Sequence, residues 1–167
     1  SARSVGLAGT VDVASYGDHL LPRLAERGPG ARLPLAEFRR FAPFGWEHPT
    51  VMDGGMMAEP LGRPTAQRRA ELADQLDALV IGGGELIHDR DDLLAAKYRA
   101  DAEETIERAP TRWFIEGVGP ELEPRCPTLW HGVGVPGDLS GETAARVCRS
   151  LAGRAYVSVR DERSLAR

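Results

Sequence analysis

DALVIGGGELI, Asp77 to Ile87, is a continuous apolar run that breaks at three consecutive glycines and then continues into acidic and apolar residues. An apolar run of this length, bounded by turn formers, reads as a strand buried on both faces. The glycines after it form a loop that offers only backbone. A strand that ends in such a loop is the repeating unit of an open α/β sheet, whose ligands sit at the carboxyl ends of the strands.

The pattern repeats outward from this stretch. Upstream, Ala66 to Leu76 has helical spacing through Leu72 and Leu76, and Ser4 to Gly9, SVGLAG, reads as another buried strand. Asp18 to Arg27, DHLLPRLAER, places Leu20, Leu21 and Leu24 at helical spacing. Asp18 is its expected N-cap, Pro22 is expected in its first turn, and Gly28-Pro29-Gly30 is expected to stop it. Ala31 to Pro43 is a second extended candidate, and Phe44 to Thr65, rich in Gly, Pro and Met, reads as an irregular surface segment. Within it Met52 to Met57, MDGGMM, reads as core filler or simple disorder ahead of an exposed apolar contact.

Downstream, Ala95 to Arg108 predicts one helix, while Arg112 to Glu123 mixes a strand-like start with glycines and a proline and fits neither period. Pro127 to Val135, PTLWHGVGV, predicts a central strand, Gly141 to Leu151 a helix, and Arg154 to Val159, RAYVSV, a last strand that closes on Arg160-Asp161. Strands and helices alternating at this pace imply parallel strands with right-handed crossovers, a doubly wound, mostly parallel α/β sheet. There is no internal repeat. The 167 residues suit one domain, and the ending DERSLAR, a helix barely begun, predicts that they belong to a longer protein.

A net charge of -4 argues against a dedicated nucleic-acid binder, which carries a basic face. Arginine supplies nearly all the positive charge, Lys97 being the only lysine, as expected of a GC-rich genome. Cys126 and Cys148 lie far apart without metal or redox spacing, so reduced thiols and a cytoplasmic protein are expected, with Cys148 buried on the apolar side of its helix. No run approaches the ~18 apolar residues of a membrane span, and no signal-peptide series is present.

In a sheet of this kind four segments share the rim at the carboxyl ends of the strands: Gly9 to Asp18, Gly82 to Glu85, His131 to Pro136 and Ser158 to Asp161. Glycines there admit a ligand to the backbone, or simply make tight turns. Neither GxGxxG followed by a distant acidic residue nor GxxxxGK[ST] occurs, which disfavours the two standard kinds of nucleotide binding. His19 follows Asp18 at a predicted helix start, where the dipole holds an imidazole neutral and fit to accept a proton; the plain alternative is an exposed first-turn histidine. Glu85 can orient a hydroxyl or cap the next helix. His131, inside an apolar strand beside Trp130, reads as a core histidine, and His48 and His88 have no pattern around them. Asp161 reads as a helix cap with Arg160 as its local partner, unless Arg160 faces a cleft.

Taken in order, Gly9-Thr10 with Tyr16-Gly17-Asp18, LVIGGGELI at Leu79 to Ile87, WHGVGVP at Trp130 to Pro136 and YVSVRDERS at Tyr156 to Ser164 resemble the polysaccharide pyruvyl transferase family. The resemblance implies one half of a two-domain fold similar to the GT-B glycosyltransferases. Residues 1–167 would be the N-terminal Rossmann-like domain, with the active site facing a missing C-terminal domain. It further implies transfer of the enolpyruvyl unit of phosphoenolpyruvate to a sugar hydroxyl of a cell-surface or exopolysaccharide glycan, with closure to a ketal. The isolated fragment would be inactive, because the family's phosphoenolpyruvate-binding arginines and histidine lie mostly in the other half.

Carried over residue by residue, Asp18 and His19 become the catalytic candidates. Thr10, Tyr16, Gly17, Gly82, Gly83, Gly84, Glu85, Arg160 and Asp161 become the substrate-binding candidates. The implied partners are phosphoenolpyruvate and a free or lipid-linked glycan; no cofactor and no metal are included. This sequence departs from many relatives in carrying Val13-Ala14-Ser15 in place of an Asn and His19 in place of an acidic residue. Two other readings stay open: a GT-B glycosyltransferase domain using a nucleotide sugar, and a non-catalytic Rossmann-like binding module.

Overall fold

A computed structural model describes residues 3–27 and 35–166. The described strands are β1 Arg3–Ala8, β2 Ala36–Ala42, β3 Glu59–Pro60, β4 Ala78–Gly82, β5 Thr128–Val133 and β6 Val157–Val159. They form one sheet in the order β3-β2-β1-β4-β5-β6, and every neighbouring pair is parallel. This is the strand order of a Rossmann-like doubly wound sheet, whose winding direction reverses between β1 and β4. A crevice opens at that reversal because the connections leave in opposite directions.

The inward faces of the central strands are apolar and packed under the helices. Leu7, Leu79, Ile81, Trp130 and Val133 are at most 1% exposed, and each such side chain contributes roughly 1.5–3 kcal/mol relative to an exposed one. The helices are α1 Tyr16–Arg27, α2 Ala66–Gln75, α3 Asp91–Tyr98, α4 Ala102–Arg108, α5 Pro110–Glu116, α6 Gly141–Leu151 and α7 Glu162–Leu165. Short polar side chains start four of them by accepting otherwise orphaned backbone N–H groups: Thr65 for α2, Asp101 for α4, Ser140 for α6 and Asp161 for α7.

Several local expectations are corrected. Helix α1 starts at Tyr16, so Asp18 lies inside its first turn and does not cap it, and Pro22 lies in the interior. There it has no N–H to donate to the carbonyl of residue 18. The expected stop at Gly28-Pro29-Gly30 and the first residues of the Ala31 to Pro43 candidate lie outside the described residues.

The segment Phe44 to Thr65 is not simply surface: it makes two 3-10 turns, Gly45–Glu47 and Pro49–Val51, and the short strand β3. Phe44, Val51, Ala58 and Leu61 are buried in it, whereas Met52 and Met57 are exposed. The single helix expected over Ala95 to Arg108 is two, broken where Arg99 turns left-handed and Asp101 caps the next. The strand-like WFI of Arg112 to Glu123 is helical in α5, begun by Pro110 at its first position.

Cys148 is exposed and Cys126 is the buried cysteine. Helix α6 packs Val147 and Leu151 against the core, and Cys148 stands outside that stripe. No helix among the described residues is long and apolar enough to cross a membrane.

Candidate functional site

The four glycine-bearing and polar segments expected along one rim do converge. Gly17, Asp18, Gly83, Gly84, Glu85, His131, Gly132, Pro136 and Arg160 line a single cleft of about 1090 Å³. It lies over the carboxyl ends of β1, β4, β5 and β6, at the crevice where the winding reverses.

The floor is backbone packed against backbone. A Cβ on Gly82 would stand 2.1 Å from the carbonyl oxygen of His131, so no side chain fits where β4 and β5 end. Gly84 has a φ of +98°, and a Cβ there would stand 2.2 Å from Asp18 Oδ1. The third glycine therefore serves two purposes: it takes a left-handed turn, and it leaves room for the Asp18 carboxylate to lie over the loop. The loop is fixed to the end of β5 by Gly134 N–H donating to Gly84 O at 2.9 Å and by Leu86 N–H donating to Gly134 O at 3.1 Å.

On the α1 side, Lys97 Nζ donates to Asp18 Oδ2 at 2.7 Å and to Thr10 Oγ1 at 3.2 Å. The Asp18 side chain is only 8% exposed and that of Lys97 is 37% exposed, which leaves the ammonium open to the cleft. Leu20, Leu24 and Leu93 make a partly exposed apolar shelf beside this pair. On the opposite side Arg160 Nη2 donates to Glu85 Oε1 at 3.0 Å and Arg160 Nε to Asp161 Oδ2 at 3.1 Å. These carboxylates push the guanidinium further towards its protonated form. Ser164 N–H, bonded to Asp161, holds that carboxyl below the usual carboxylate range. Asp161 is thus a helix cap that also orients Arg160.

His88 lines the cleft as well, and burial lowers its pKa, so the ring is neutral near pH 7. Its Nδ1 accepts from Arg90 N–H at 3.1 Å, which leaves the proton on Nε2. The lining carries four carboxylates, Asp18, Glu85, Asp89 and Asp138, against three cations, Arg90, Lys97 and Arg160. Such a wall is better matched to neutral hydroxyl groups than to a multiply charged anion.

Other candidates stand elsewhere. His19 is 9% exposed and its Nε2 donates to Val13 O at 2.7 Å; it holds the β1–α1 loop in shape and does not line the cleft. Tyr16 is 82% exposed and is likewise absent from the lining. Thr10 is buried and reaches the site only through Lys97. Gly82 lies under the site, not in its wall. His131 is exposed, with its ring stacked on Tyr156 at 5.9 Å, because Trp130 takes the inward face of β5.

Two residues of consequence went unassigned in the sequence, Lys97 and Asp12. Asp12 is fully buried; its Oδ2 accepts from Gly45 N–H at 2.8 Å and Phe44 N–H at 3.1 Å, and its Oδ1 accepts from Tyr98 Oη at 2.5 Å. Burial raises its pKa, and the three hydrogen bonds oppose that rise.

A second cavity, of about 720 Å³, lies between α2, the α5–β5 connection and α6. Three arginines there meet one carboxylate: Arg69 at 2.7 Å, Arg112 at 3.0 Å and Arg146 at 3.6 Å from Glu116. Arg69 is 5% exposed and also donates to Gly117 O at 2.5 Å. These contacts join α2, α5 and α6 to one another. Among the described residues no cluster of three or more His, Cys, Asp or Glu is arranged to hold a metal ion. No protein-family model matches the chain, and no curated protein is significantly similar to it.

Proposed function

We propose that the cleft binds a sugar hydroxyl, and that the chain is the acceptor-side, N-terminal half of a pyruvyl-transferase-like enzyme with a GT-B-like second lobe. The observation that carries this reading is the convergence of the Gly-Asp, Gly-Gly-Gly and Arg-Asp segments on one rim, in the order in which they resemble that family. The near balance of charge in the cleft supports it, since a neutral polyol meets both donors and acceptors there without carrying charge of its own.

The chemistry asks for a proton on the methylene carbon of the enolpyruvyl group, which leaves a cationic carbon bearing the phosphate and carboxylate. A sugar hydroxyl oxygen attacks that carbon while its proton passes to a base. Phosphate then departs with the electrons of its C–O bond, and a second hydroxyl closes the ketal with loss of its proton. In this reading Asp18 is the base, with Lys97 orienting its carboxylate, and the Gly83-Gly84 loop lets the acceptor reach it. Arg160, held by Glu85 and Asp161, contacts the acceptor from the opposite wall. The groups that bind phosphoenolpyruvate belong to the second lobe.

The test is phosphate release from phosphoenolpyruvate by the protein expressed from its natural reading frame, with a panel of glycan acceptors. Phosphate and a pyruvate ketal in equal amounts are expected. No release with any acceptor contradicts the reading, and protection by a sugar nucleotide in its place favours a glycosyltransferase.

A further inference from the structure

We infer that Asp12 and Tyr98 form a buried strut whose task is to position Lys97 on Asp18, an inference that rests on the cleft being the functional site. Lys97 and Tyr98 are neighbours in the last turn of α3, which ends at Arg99 with a φ of +52°. The last turn of an eight-residue helix frays unless something outside the helix holds it. Here the hold comes from Tyr98, which is fully buried with its ring 4.6 Å from that of Phe44, and whose hydroxyl donates to Asp12.

Asp12 sits in the β1–α1 connection, and Asp18 follows it in the first turn of α1. Helix α3 therefore meets this connection and the start of α1 at two adjacent points, Tyr98 on Asp12 and Lys97 on Thr10 and Asp18. The first contact is dry and the second opens on the cleft. A carboxylate is a costly way to anchor a helix, and an apolar residue beside Val13, Phe44, Leu94 and Tyr98 would add stability more simply. What the carboxylate adds is direction: it ties two backbone N–H groups after β2 and one hydroxyl on α3 to a single point, which fixes the rotation of that helical turn.

Lys97 itself fits such a task. The chain has 21 cationic side chains and this is its only lysine. It stands where one compact ammonium bridges two acceptors on separate segments, a geometry that a planar guanidinium fork does not match. Two of its three N–H groups are used by Asp18 and Thr10, which leaves one for a ligand oxygen. Tyr98 and Asp12 are positioning residues in this account, and neither touches the ligand.

The single lysine makes the test direct. Labelling the chain with lysine carrying 13C at Cε alone gives one side-chain resonance, and Asp18→Asn marks where that resonance lies when Lys97 has lost its ion pair. Tyr98→Phe, which keeps the ring and removes the hydroxyl, is expected to move it to the same place, with no further movement in the Asp18→Asn/Tyr98→Phe double variant. Asp12→Asn, whose amide can donate to the Tyr98 oxygen while its carbonyl accepts from Phe44 and Gly45, is expected to keep the wild-type position.

Should Tyr98→Phe fail to fold, Asp12→Asn/Tyr98→Phe leaves no buried carboxylate short of a donor and is expected to show the same displacement. A Lys97 resonance that stays at the wild-type position in the Tyr98→Phe or double variant overturns the inference, whatever the melting temperature does. In the natural full-length protein, Tyr98→Phe is also expected to lower kcat by on the order of tenfold or more at unchanged KM for phosphoenolpyruvate. A wild-type protein with no turnover sinks the pyruvyl-transfer reading alone, and the lysine resonance still decides the strut.

Discussion

The rim cleft and the arginine cavity use charge in opposite ways. In the cavity, Arg69, Arg112 and Arg146 surround Glu116, so the cations are consumed by a structural carboxylate. In the cleft, two pairs on opposite walls, Lys97 with Asp18 and Arg160 with Glu85, flank a loop of bare backbone. The size of a cavity thus says less about function than how its polar groups are placed. Four substitutions test that contrast, from the largest expected effect to the smallest.

Asp18→Asn removes the proposed base while keeping its shape. Turnover in the full-length protein is expected to fall by about 10²–10⁴-fold, the range for a general base. Thermal melting is expected to change little, because Lys97 can turn its ammonium to water. Equal loss of fold and activity would recast Asp18 as a structural residue.

Glu116→Gln does the reverse. It leaves the buried Arg69 guanidinium without its counter-charge, which costs on the order of 3 kcal/mol when one partner of a buried pair is lost. Denaturant melts should show that loss, while kcat of the remaining folded protein stays at the wild-type value. A matching fall in kcat would mean that the second cavity takes part in the reaction.

Gly84→Ala sharpens the view of the loop. The new methyl meets Asp18 Oδ1 at a backbone angle that L residues rarely adopt, a strain of about 1–3 kcal/mol. The loss is expected chiefly in acceptor KM, read from steady-state kinetics.

Asp12→Asn has the smallest effect and shows itself through pH. Burial holds the Asp12 pKa above its unfolded value. The stability this group contributes is therefore fully present below the unfolded pKa and is lost as pH rises through the folded one. Asn has no such dependence, so the melting temperature of Asp12→Asn should gain on that of the wild type as pH rises above the unfolded carboxylate pKa of about 4. A difference that stays constant over that range would mean that Asp12 remains ionised throughout.

The strands and the rim were legible because both follow from local chemistry. LVIG, TLWHGV and VSV are apolar runs that stop at glycine or polar residues, and parallel order sends all their carboxyl ends to one side. The break between α3 and α4 also had a local sign, Asp101 followed three residues later by Glu104, although continuous helical spacing obscured it. In α5, Trp113, Phe114 and Ile115 suggested a strand, and tertiary burial of all three overrode that preference.

The cleft's partnership was not legible. Lys97 and Asp18 are 79 positions apart, and only folding brings them together. Asp12 left one trace, a carboxylate between two valines that had to find donors from distant segments. Histidine was the poorest guide of all. His19 and His131 exchange the places expected of them, because the ring of His19 finds a carbonyl inside while Trp130 takes the inward side of β5.

The most direct measurement is a map of backbone amide shifts in the chain as neutral sugars are added. The account predicts that the perturbations gather at Asp18, Gly83 to Glu85 and Gly132, with Lys97 among the affected residues. Perturbations centred on Arg112, Arg146 and Arg149, or none at any residue, would contradict it.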